Sequence, residues 1–232
     1  MSIFYKKNTQ SGKNILSEEE SKHCALVLRH QQGDEITVFD GVGGKHQAML
    51  TKIAKRACEF EIIETITLPQ KPFNIHLGIA PTKNMDRMEW MVEKLCEMGV
   101  DEVSFIKTQH SERKQLRLDR LEKKAISAMK QSGNPFLLQL NDLVDFDSFI
   151  SSEQRDIKLI AHVDPSHSYI SKKLQKDRSV SILIGPEGDF SSEEVENATK
   201  AGFEMVSLGT NTLRTETAGL VACCSINIVN QY

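Results

Sequence analysis

The chain has 232 residues and a mass of 26.1 kDa, so it can bury a core of its own without disulfides or a structural metal. Hydrophobic residues make up 39% and charged residues 26% of the sequence, which excludes a disordered, collagen-like or fibrous chain. The net charge is -3, so any contact with a nucleic acid has to use local basic patches.

The first seventy residues predict strands and turns. A helix is expected over residues 17–29, because Ser17 and Glu20 have the spacing of a capping box. Residues 36–39 and 47–53 are separated by a glycine-rich turn, and together they predict a β-hairpin.

The next segment, residues 58–68, alternates hydrophobic and polar side chains and predicts a half-buried strand. The alternation breaks at Ile63 and Glu64, which indicates a bulge. These elements predict a small barrel-like β domain over residues 1–70. The stiff polar connector that follows, residues 68–72, contains two prolines, and we place a domain boundary there.

From residue 73 onward strands and helices alternate, as in α/β domains. The predicted strands are residues 73–80, 103–106, 157–163, 179–184 and 205–208, and the predicted helices are residues 85–98, 118–131, 192–200 and 215–229. The run over residues 179–184 is nearly all hydrophobic, which predicts the centre of a parallel sheet that is covered on both faces. Taken alone, this alternation predicts an unknotted doubly wound sheet.

Metal sites, disulfides and membrane spans are not indicated. The five cysteines include no C-x-x-C pair, so we expect small buried thiols, and the histidines lack metal-ligand spacing. No apolar run reaches the roughly 18 residues of a membrane span, and the N-terminal residues lack the apolar core of a signal peptide. The sequence therefore predicts a cytoplasmic protein.

Common nucleotide and hydrolase motifs are also missing. The glycine-rich stretch at residues 41–46 lacks the Walker spacing and lies in the predicted hairpin, so we interpret it as a turn. The sequence contains no G-x-G-x-x-G, H-E-x-x-H or G-x-S-x-G motif.

Three predicted strands end in unusual loops, residues 162–164, 185–190 and 209–214. In open α/β sheets, ligands bind at the carboxyl ends of the strands. Glycines flank the Pro-Glu pair of the middle loop and allow a ligand to approach the backbone closely, although a tight turn explains them equally well. In the third loop, Arg214 begins a helix, where the helix dipole disfavours a cation. This favours a ligand role for Arg214, with an ion pair to a nearby carboxylate as the alternative.

The second and third of these loops resemble segments of a known protein family. The segments Ile184-Gly185-Pro186-Glu187-Gly188 and Leu208-Gly209 with Leu213-Arg214-Thr215-Glu216-Thr217-Ala218 are similar to the cofactor-binding loops of SPOUT-class methyltransferases. The match is to the RsmE family, which methylates uracil N3 in small-subunit ribosomal RNA. It extends to residues 27–41, 83–100 and 111–113, and so spans nearly the whole chain. Asp189 departs from the family pattern, which usually has glycine there, and residues 133–135 replace an often basic segment.

The resemblance implies an α/β fold in which a PUA-like, RNA-binding β-barrel over residues 1–70 precedes a SPOUT domain over residues 73–232 with a C-terminal trefoil knot. It also implies a homodimer that shares its active site. The cofactor would be S-adenosylmethionine, with no metal, and the substrate uracil N3 of 16S ribosomal RNA. Two alternatives remain: a SPOUT enzyme acting on another RNA position or a ribose hydroxyl, and a non-catalytic RNA-binding assembly factor.

The resemblance also assigns residues. Arg214 would stabilise negative charge on the uracil carbonyls, and Glu216 would either orient Arg214 or accept the proton. The predicted cofactor contacts are His162, Ile184, Gly185, Pro186, Glu187, Gly188, Leu208, Gly209, Asn211 and Leu213. The candidate RNA contacts are Arg29, Lys83, Arg87, Lys94 and Arg113, although each basic residue, considered singly, is more often solvated or ion-paired.

Overall fold

The computed structural model describes residues 2–9, 12–111, 115–163 and 166–231. The chain has a mixed α/β fold and divides into two compact units. The first unit contains Met1–Gln70 and Met129–Leu137, and the second contains Lys71–Ala128 and Leu138–Tyr232.

The first unit is built on a curled five-stranded sheet. Its strands are β1 (Ile3–Tyr5), β2 (Lys13–Ile15), β3 (Glu35–Phe39), β4 (Gly44–Lys52) and β5 (Glu59–Thr67). The order is β1-β3-β4-β5-β2, in which β1 is parallel to β3 and the other pairs are antiparallel. The core between these strands is hydrophobic and includes Phe4, Val38, Leu50 and Phe60.

The predicted hairpin is confirmed as β3 and β4. The Asp40 carboxylate accepts hydrogen bonds from the backbone N–H groups of Val42 and Gly44, both at 2.8 Å, and these bonds hold the turn. The bulge in β5 is confirmed as well, because Ile63 is skipped in the pairing with β4. The prediction is wrong at the end of this segment: Ile66 and Leu68 belong to the face that the alternation predicts to be buried, but they are 46% and 39% exposed.

The predicted helix over residues 17–29 is shorter and changes character. It begins as α1 (Glu18–Lys22), where the Ser17 hydroxyl accepts a hydrogen bond from the Glu20 N–H. It continues as a π-helical turn over His23–Val27, which widens the backbone spacing. The segment ends at Arg29, whose φ of 56° is left-handed.

The segment Met129–Leu137 belongs to the first unit, although it lies far from that unit in sequence. The Leu137 N–H donates to the Gly41 carbonyl at 2.9 Å, and the Gly43 N–H donates to the Pro135 carbonyl at 3.2 Å. Lys130 Nζ lies 2.6 Å from the Glu20 carboxylate. These contacts attach the segment to the hairpin and to α1.

The second unit contains a six-stranded parallel sheet with the order β11-β9-β10-β6-β7-β8. Its strands are β6 (Ile75–Ile79), β7 (Glu102–Lys107), β8 (Gln139–Asp145), β9 (Ile157–Ala161), β10 (Val180–Ile184) and β11 (Glu204–Val206). All five residues of β10 are buried between β9 and β6, which confirms the prediction for this segment.

Five helices complete the second part of the chain: α2 (Met85–Glu97), α3 (Leu118–Ser132), α4 (Phe146–Ser152), α5 (Ser192–Lys200) and α6 (Thr215–Asn230), with a short 3₁₀ turn at Ile170–Lys172. The predicted helix over residues 192–200 is confirmed as α5, and Ser191 and Glu194 form a capping box at its start. The structure adds β8 and α4, which the sequence analysis did not predict. Within the described ranges, no helix combines the length and hydrophobicity of a membrane span.

All five cysteines are free thiols. Four of them are buried, as predicted, and burial raises the pKa of Cys96 and of Cys223 to about 12. The prediction is wrong for Cys224, which lies on the exposed side of α6.

A buried polar network lies in the second unit, around His76 on β6. His76 Nδ1 lies 2.6 Å from Glu153 Oε2, and His76 Nε2 lies 2.8 Å from the Ser104 hydroxyl. Burial by itself would raise the pKa of the Glu153 carboxyl. The hydrogen bonds with His76 and with the Arg155 backbone N–H outweigh burial and lower that pKa to about 2.

The variant Glu153→Gln is therefore expected to lower the free energy of unfolding by about 3 kcal/mol at neutral pH, because the anion is stabilised in the folded state. A lowered folded-state pKa stabilises the fold above the unfolded-state pKa of Glu153. We therefore expect the difference between wild type and variant to shrink as the pH falls from its ordinary pKa of 4.5 towards 2. Denaturant unfolding across that range measures it.

The matched control is Glu196→Gln, which removes an exposed carboxylate paired with Lys200 on α5 and should leave the free energy of unfolding close to that of wild type. A loss for Glu153→Gln that stays constant with pH would contradict the assignment of the anion.

Candidate functional site

A cavity of about 290 Å³ lies at the carboxyl ends of β9, β10 and β11. Residues 161–163 line it after β9, residues 184–187 and Asp189 after β10, and residues 208–209 and 211–215 after β11, together with Ala218 on α6. This volume is at the lower end of the range for small-molecule sites. The three loops that the sequence assigns to one edge of the sheet meet around this cavity.

Most of the predicted cofactor contacts line the cavity. These are His162, Ile184, Gly185, Pro186, Glu187, Leu208, Gly209, Asn211 and Leu213. Gly188 is not a lining residue, and a Cβ atom added to it would lie 3.3 Å from the His110 Cβ. Its lack of a side chain therefore allows close packing against His110.

Two glycines bring the backbone to the cavity wall. Gly209 has a φ of 146°, which residues with a side chain rarely adopt, and an added Cβ would lie 3.2 Å from the Tyr169 hydroxyl oxygen. An added Cβ at Gly185 would lie 3.2 Å from Asp189 Oδ1 and from the Phe190 ring. A side chain at either position would crowd the wall.

Asp189 is a lining residue that the sequence analysis left without a role. Its φ is 58°, and Oδ2 lies 3.5 Å from His162 Nε2. The sequence offered one signal for Asp189, its position in a loop after a buried strand. The direction of its side chain depends on the positive φ, which the sequence does not show. Ala161, Val163, Thr212, Thr215 and Ala218 also line the cavity without having been predicted.

Arg214 is the N-cap residue of α6 and lines the cavity, with no side-chain capping bond. Within the described part of the chain, no carboxylate lies close enough to pair with its exposed guanidinium. The alternative that an ion pair explains Arg214 therefore has no support there. A cation at this end of a helix is disfavoured by about 0.3 to 1 kcal/mol, so its position favours a ligand role.

Glu216 is buried on the first turn of α6 and is not a cavity-lining residue. Its Oε1 lies 3.8 Å from Arg87 Nε on α2, so its ion pair is with Arg87. Its Oε2 is buried and has no hydrogen-bond partner among the described residues. Glu216 can therefore accept a further hydrogen bond.

The candidate RNA contacts are distributed over both units. Arg29 is exposed in the first unit, and Lys83 is exposed in the second. Arg87 pairs with Glu216, while hydrogen bonds to Glu97 and Glu93 raise the pKa of Lys94. Arg113 lies outside the described residues. The ion pairs of Arg87 and Lys94 fit the ordinary interpretation of these two cations.

Comparison with protein families identifies two domains. A model described as RNA methyltransferase PUA domain matches residues 16–63. A model described as RNA methyltransferase domain matches residues 69–227, well over half of the chain. The chain belongs to the RNA methyltransferase family.

Solved structures agree with this RNA methyltransferase assignment. A probable rRNA-methyltransferase from Porphyromonas gingivalis is 42% identical, with a TM-score of 0.91 and coverage of 100% of this chain and 99% of that one. A ribosomal RNA small subunit methyltransferase E from Neisseria gonorrhoeae, bound to S-adenosyl methionine, is 29% identical, with a TM-score of 0.88 and coverage of 99% and 98%.

A curated relative from Aquifex aeolicus, also named ribosomal RNA small subunit methyltransferase E, is 29% identical over 228 residues. The match covers 94% of this chain and 95% of the relative. The resemblance to the RsmE family that the sequence motifs indicate is therefore confirmed.

Proposed function

We propose that this RNA methyltransferase uses S-adenosylmethionine to methylate N3 of a uracil in small-subunit, 16S, ribosomal RNA. One observation carries the proposal: the glycine loops that resemble the family's cofactor-binding segments form a single cavity at the carboxyl ends of β9, β10 and β11. The relatives named above supply the substrate class, and the Neisseria gonorrhoeae structure supplies the cofactor.

The cavity wall fits this cofactor chemically. Gly185 and Gly209 leave backbone groups open to a ligand, and Ile184 offers an apolar surface to an adenine ring. Glu187 adds a negative charge, which suits a cationic sulfur. When bound, S-adenosylmethionine supplies a methyl group from a positively charged sulfur, and the sulfur keeps the electrons of the broken bond.

Arg214 is the proposed catalytic cation. Uracil N3 carries a proton at neutral pH, and removal of that proton builds negative charge on the neighbouring carbonyl oxygens. Arg214 lines the cavity, and its guanidinium has no carboxylate partner among the described residues, so it is available to donate hydrogen bonds to those oxygens.

Glu216 is the second residue of the proposed chemistry. It follows Arg214 by two positions, is held by Arg87, and has an unpartnered Oε2. In this arrangement Glu216 either accepts the N3 proton or positions Arg214. The other proposed cofactor contacts are the cavity-lining residues of the three loops, with Gly188 supporting the middle loop from outside the lining.

The RNA has to present an unpaired or flipped uracil, because N3 lies on the base-pairing edge. A PUA-like β-barrel over residues 1–70 would hold the RNA, and residues 73–232 would form the catalytic SPOUT domain. The family match over residues 16–63 and the curled sheet support this division. Arg29 and Lys83 remain the exposed candidates for phosphate contacts.

A trefoil knot and a homodimer are the finer parts of the proposal. In this sheet β10 lies between β9 and β6, unlike the doubly wound order, and α6 packs against both β6 and β10. Gly219 permits that packing, because an added Cβ would lie 3.1 Å from Ile79 Cδ1. The exposed apolar side of α6, which includes Ile228, is a suitable dimer surface. Ribosomal RNA as the substrate favours a cytoplasmic location.

We expect the substitution Gly209→Ala to weaken S-adenosylmethionine binding at least about tenfold, because Ala rarely adopts this φ and the loop backbone has to move. Isothermal calorimetry measures the affinity. The control is Gly133→Ala, which also has a positive φ, of 72°, but is not among the residues that line this cavity and has no atom within 4 Å of the added Cβ. Equal affinity in both variants would contradict the pocket assignment.

Arg214→Ala is expected to reduce methyl transfer by about 10² to 10³, since it removes the donor that stabilises developing negative charge. Cofactor affinity should stay within a few-fold of wild type. Single-turnover assays and calorimetry separate the two quantities, and Arg214→Lys should give an intermediate rate. Wild-type activity in Arg214→Ala would remove this residue from the mechanism.

The decisive experiment incubates the protein with labelled S-adenosylmethionine and unmethylated small ribosomal subunits, with Arg214→Ala as the inactive control. Mass spectrometry of the digested RNA should show 3-methyluridine. A methyl group at another base position or on a ribose hydroxyl would instead support the alternative RNA methyltransferase. RNA binding without any transfer would support the assembly factor.

A further inference from the structure

We infer that Asp189 is a positioning residue for His162, and that the pair presents His162 Nδ1 to the cofactor as a hydrogen-bond acceptor. This inference rests on the proposed function and deepens it, because it assigns a role in cofactor recognition to a residue for which the sequence indicated no role. Both residues line the cavity.

The backbone holds Asp189 in an unusual conformation. Its φ of 58° lies in the left-handed region, which Asp and Asn tolerate better than most residues. The Asp189 N–H donates to the Pro186 carbonyl at 3.0 Å, and the Asp189 carbonyl lies 2.9 Å from His110 Nδ1. Its own Oδ1 accepts the Phe190 N–H at 2.8 Å. The carboxylate is therefore held by the Phe190 N–H of its own loop, and the Asp189 backbone also contacts the loop after β7.

The remaining carboxylate oxygen faces His162. Asp189 Oδ2 lies 3.5 Å from His162 Nε2, and the His162 backbone N–H donates to the Val206 carbonyl at 3.1 Å. Both partners are thus held by neighbouring strands or turns. A carboxylate oxygen accepts hydrogen bonds, so Asp189 favours the imidazole tautomer that carries its proton on Nε2.

That tautomer leaves a lone pair on Nδ1. In the described part of the chain, Nδ1 is buried and has no hydrogen-bond partner. Buried polar atoms without a partner are uncommon in folded proteins, and each one calls for an explanation. Because His162 lines the cavity, a hydroxyl or amino hydrogen of the bound cofactor is the partner that this acceptor fits.

The substitution Asp189→Asn separates the effect of charge from the effect of side-chain size. Asn has nearly the same size and also tolerates positive φ, but its amide can either donate or accept a hydrogen bond. In Asp189→Asn the amide oxygen keeps the bond from the Phe190 N–H, so the amide NH₂ faces His162 Nε2 and favours the tautomer with the proton on Nδ1. Asp189→Gly removes the side chain and relieves the strain of the left-handed backbone. The unfolding temperature of this variant should rise, while the contribution of Asp189 to cofactor recognition is lost.

The first measurement is ¹⁵N NMR of the histidine side chains in the full chain, with the His162 signals identified by their loss in His162→Phe. We expect wild-type His162 to carry its proton on Nε2, and Asp189→Asn to shift the proton towards Nδ1. A purely structural role for Asp189 would not change this signature.

The second measurement is calorimetric affinity for S-adenosylhomocysteine, the demethylated product, which keeps the hydroxyl and amino groups of the cofactor. Asp189→Asn and His162→Phe should each weaken binding about threefold to tenfold. The double variant should bind no more weakly than His162→Phe alone, because Asp189 acts through His162. The control Glu193→Gln removes an exposed carboxylate outside the cavity lining and should bind like wild type.

A wild-type tautomer pattern and affinity in Asp189→Asn would overturn the inference, even if His162→Phe failed to fold. Independent, additive losses in the double variant would also overturn it. If the wild-type chain bound neither S-adenosylmethionine nor S-adenosylhomocysteine, the proposed function itself would be wrong, and the inference would fall with it.

Discussion

The parallel pairing of β10 between β9 and β6 is the constraint on which the rest of the second unit depends. Parallel strands end at the same edge, so the loops after β9, β10 and β11 have to meet there. Because β10 is buried along its whole length, its Gly-Pro-Glu-Gly loop emerges from the sheet centre into that edge. The cavity follows from this arrangement, and so do the chemical groups that face it.

Elements with a strong period were predictable from the sequence, because their burial pattern is local. The hydrophobic run of β10, the helix α5 and the β3–β4 hairpin are examples. The edge strand β8 escaped prediction because its polar residues give no clear alternation. The attachment of Met129–Leu137 to the first unit depends on bonds to Gly41 and Gly43, which are distant in sequence.

The candidate site was likewise predictable only in part. Sequence could assign the loops to one edge, but it could not say which way each side chain points. On α6, Thr215 and Ala218 are three positions apart and share the cavity face, whereas Glu216 is turned towards Arg87 on α2. The role of Asp189 depends on a positive φ, which its residue type permits but does not require.

The strand order also sets a condition on how the chain folds. β10 is made after β9, yet it has to enter between β9 and β6, so the edge of β6 must stay open until β10 arrives. The joining bond, from the Val180 N–H to the Asn74 carbonyl, closes a loop of about a hundred residues. Such non-local closure slows folding. If β9 docked on β6 before β10 arrived, that pairing would have to dissociate before β10 could enter. A chaperone that delays this docking would therefore speed folding.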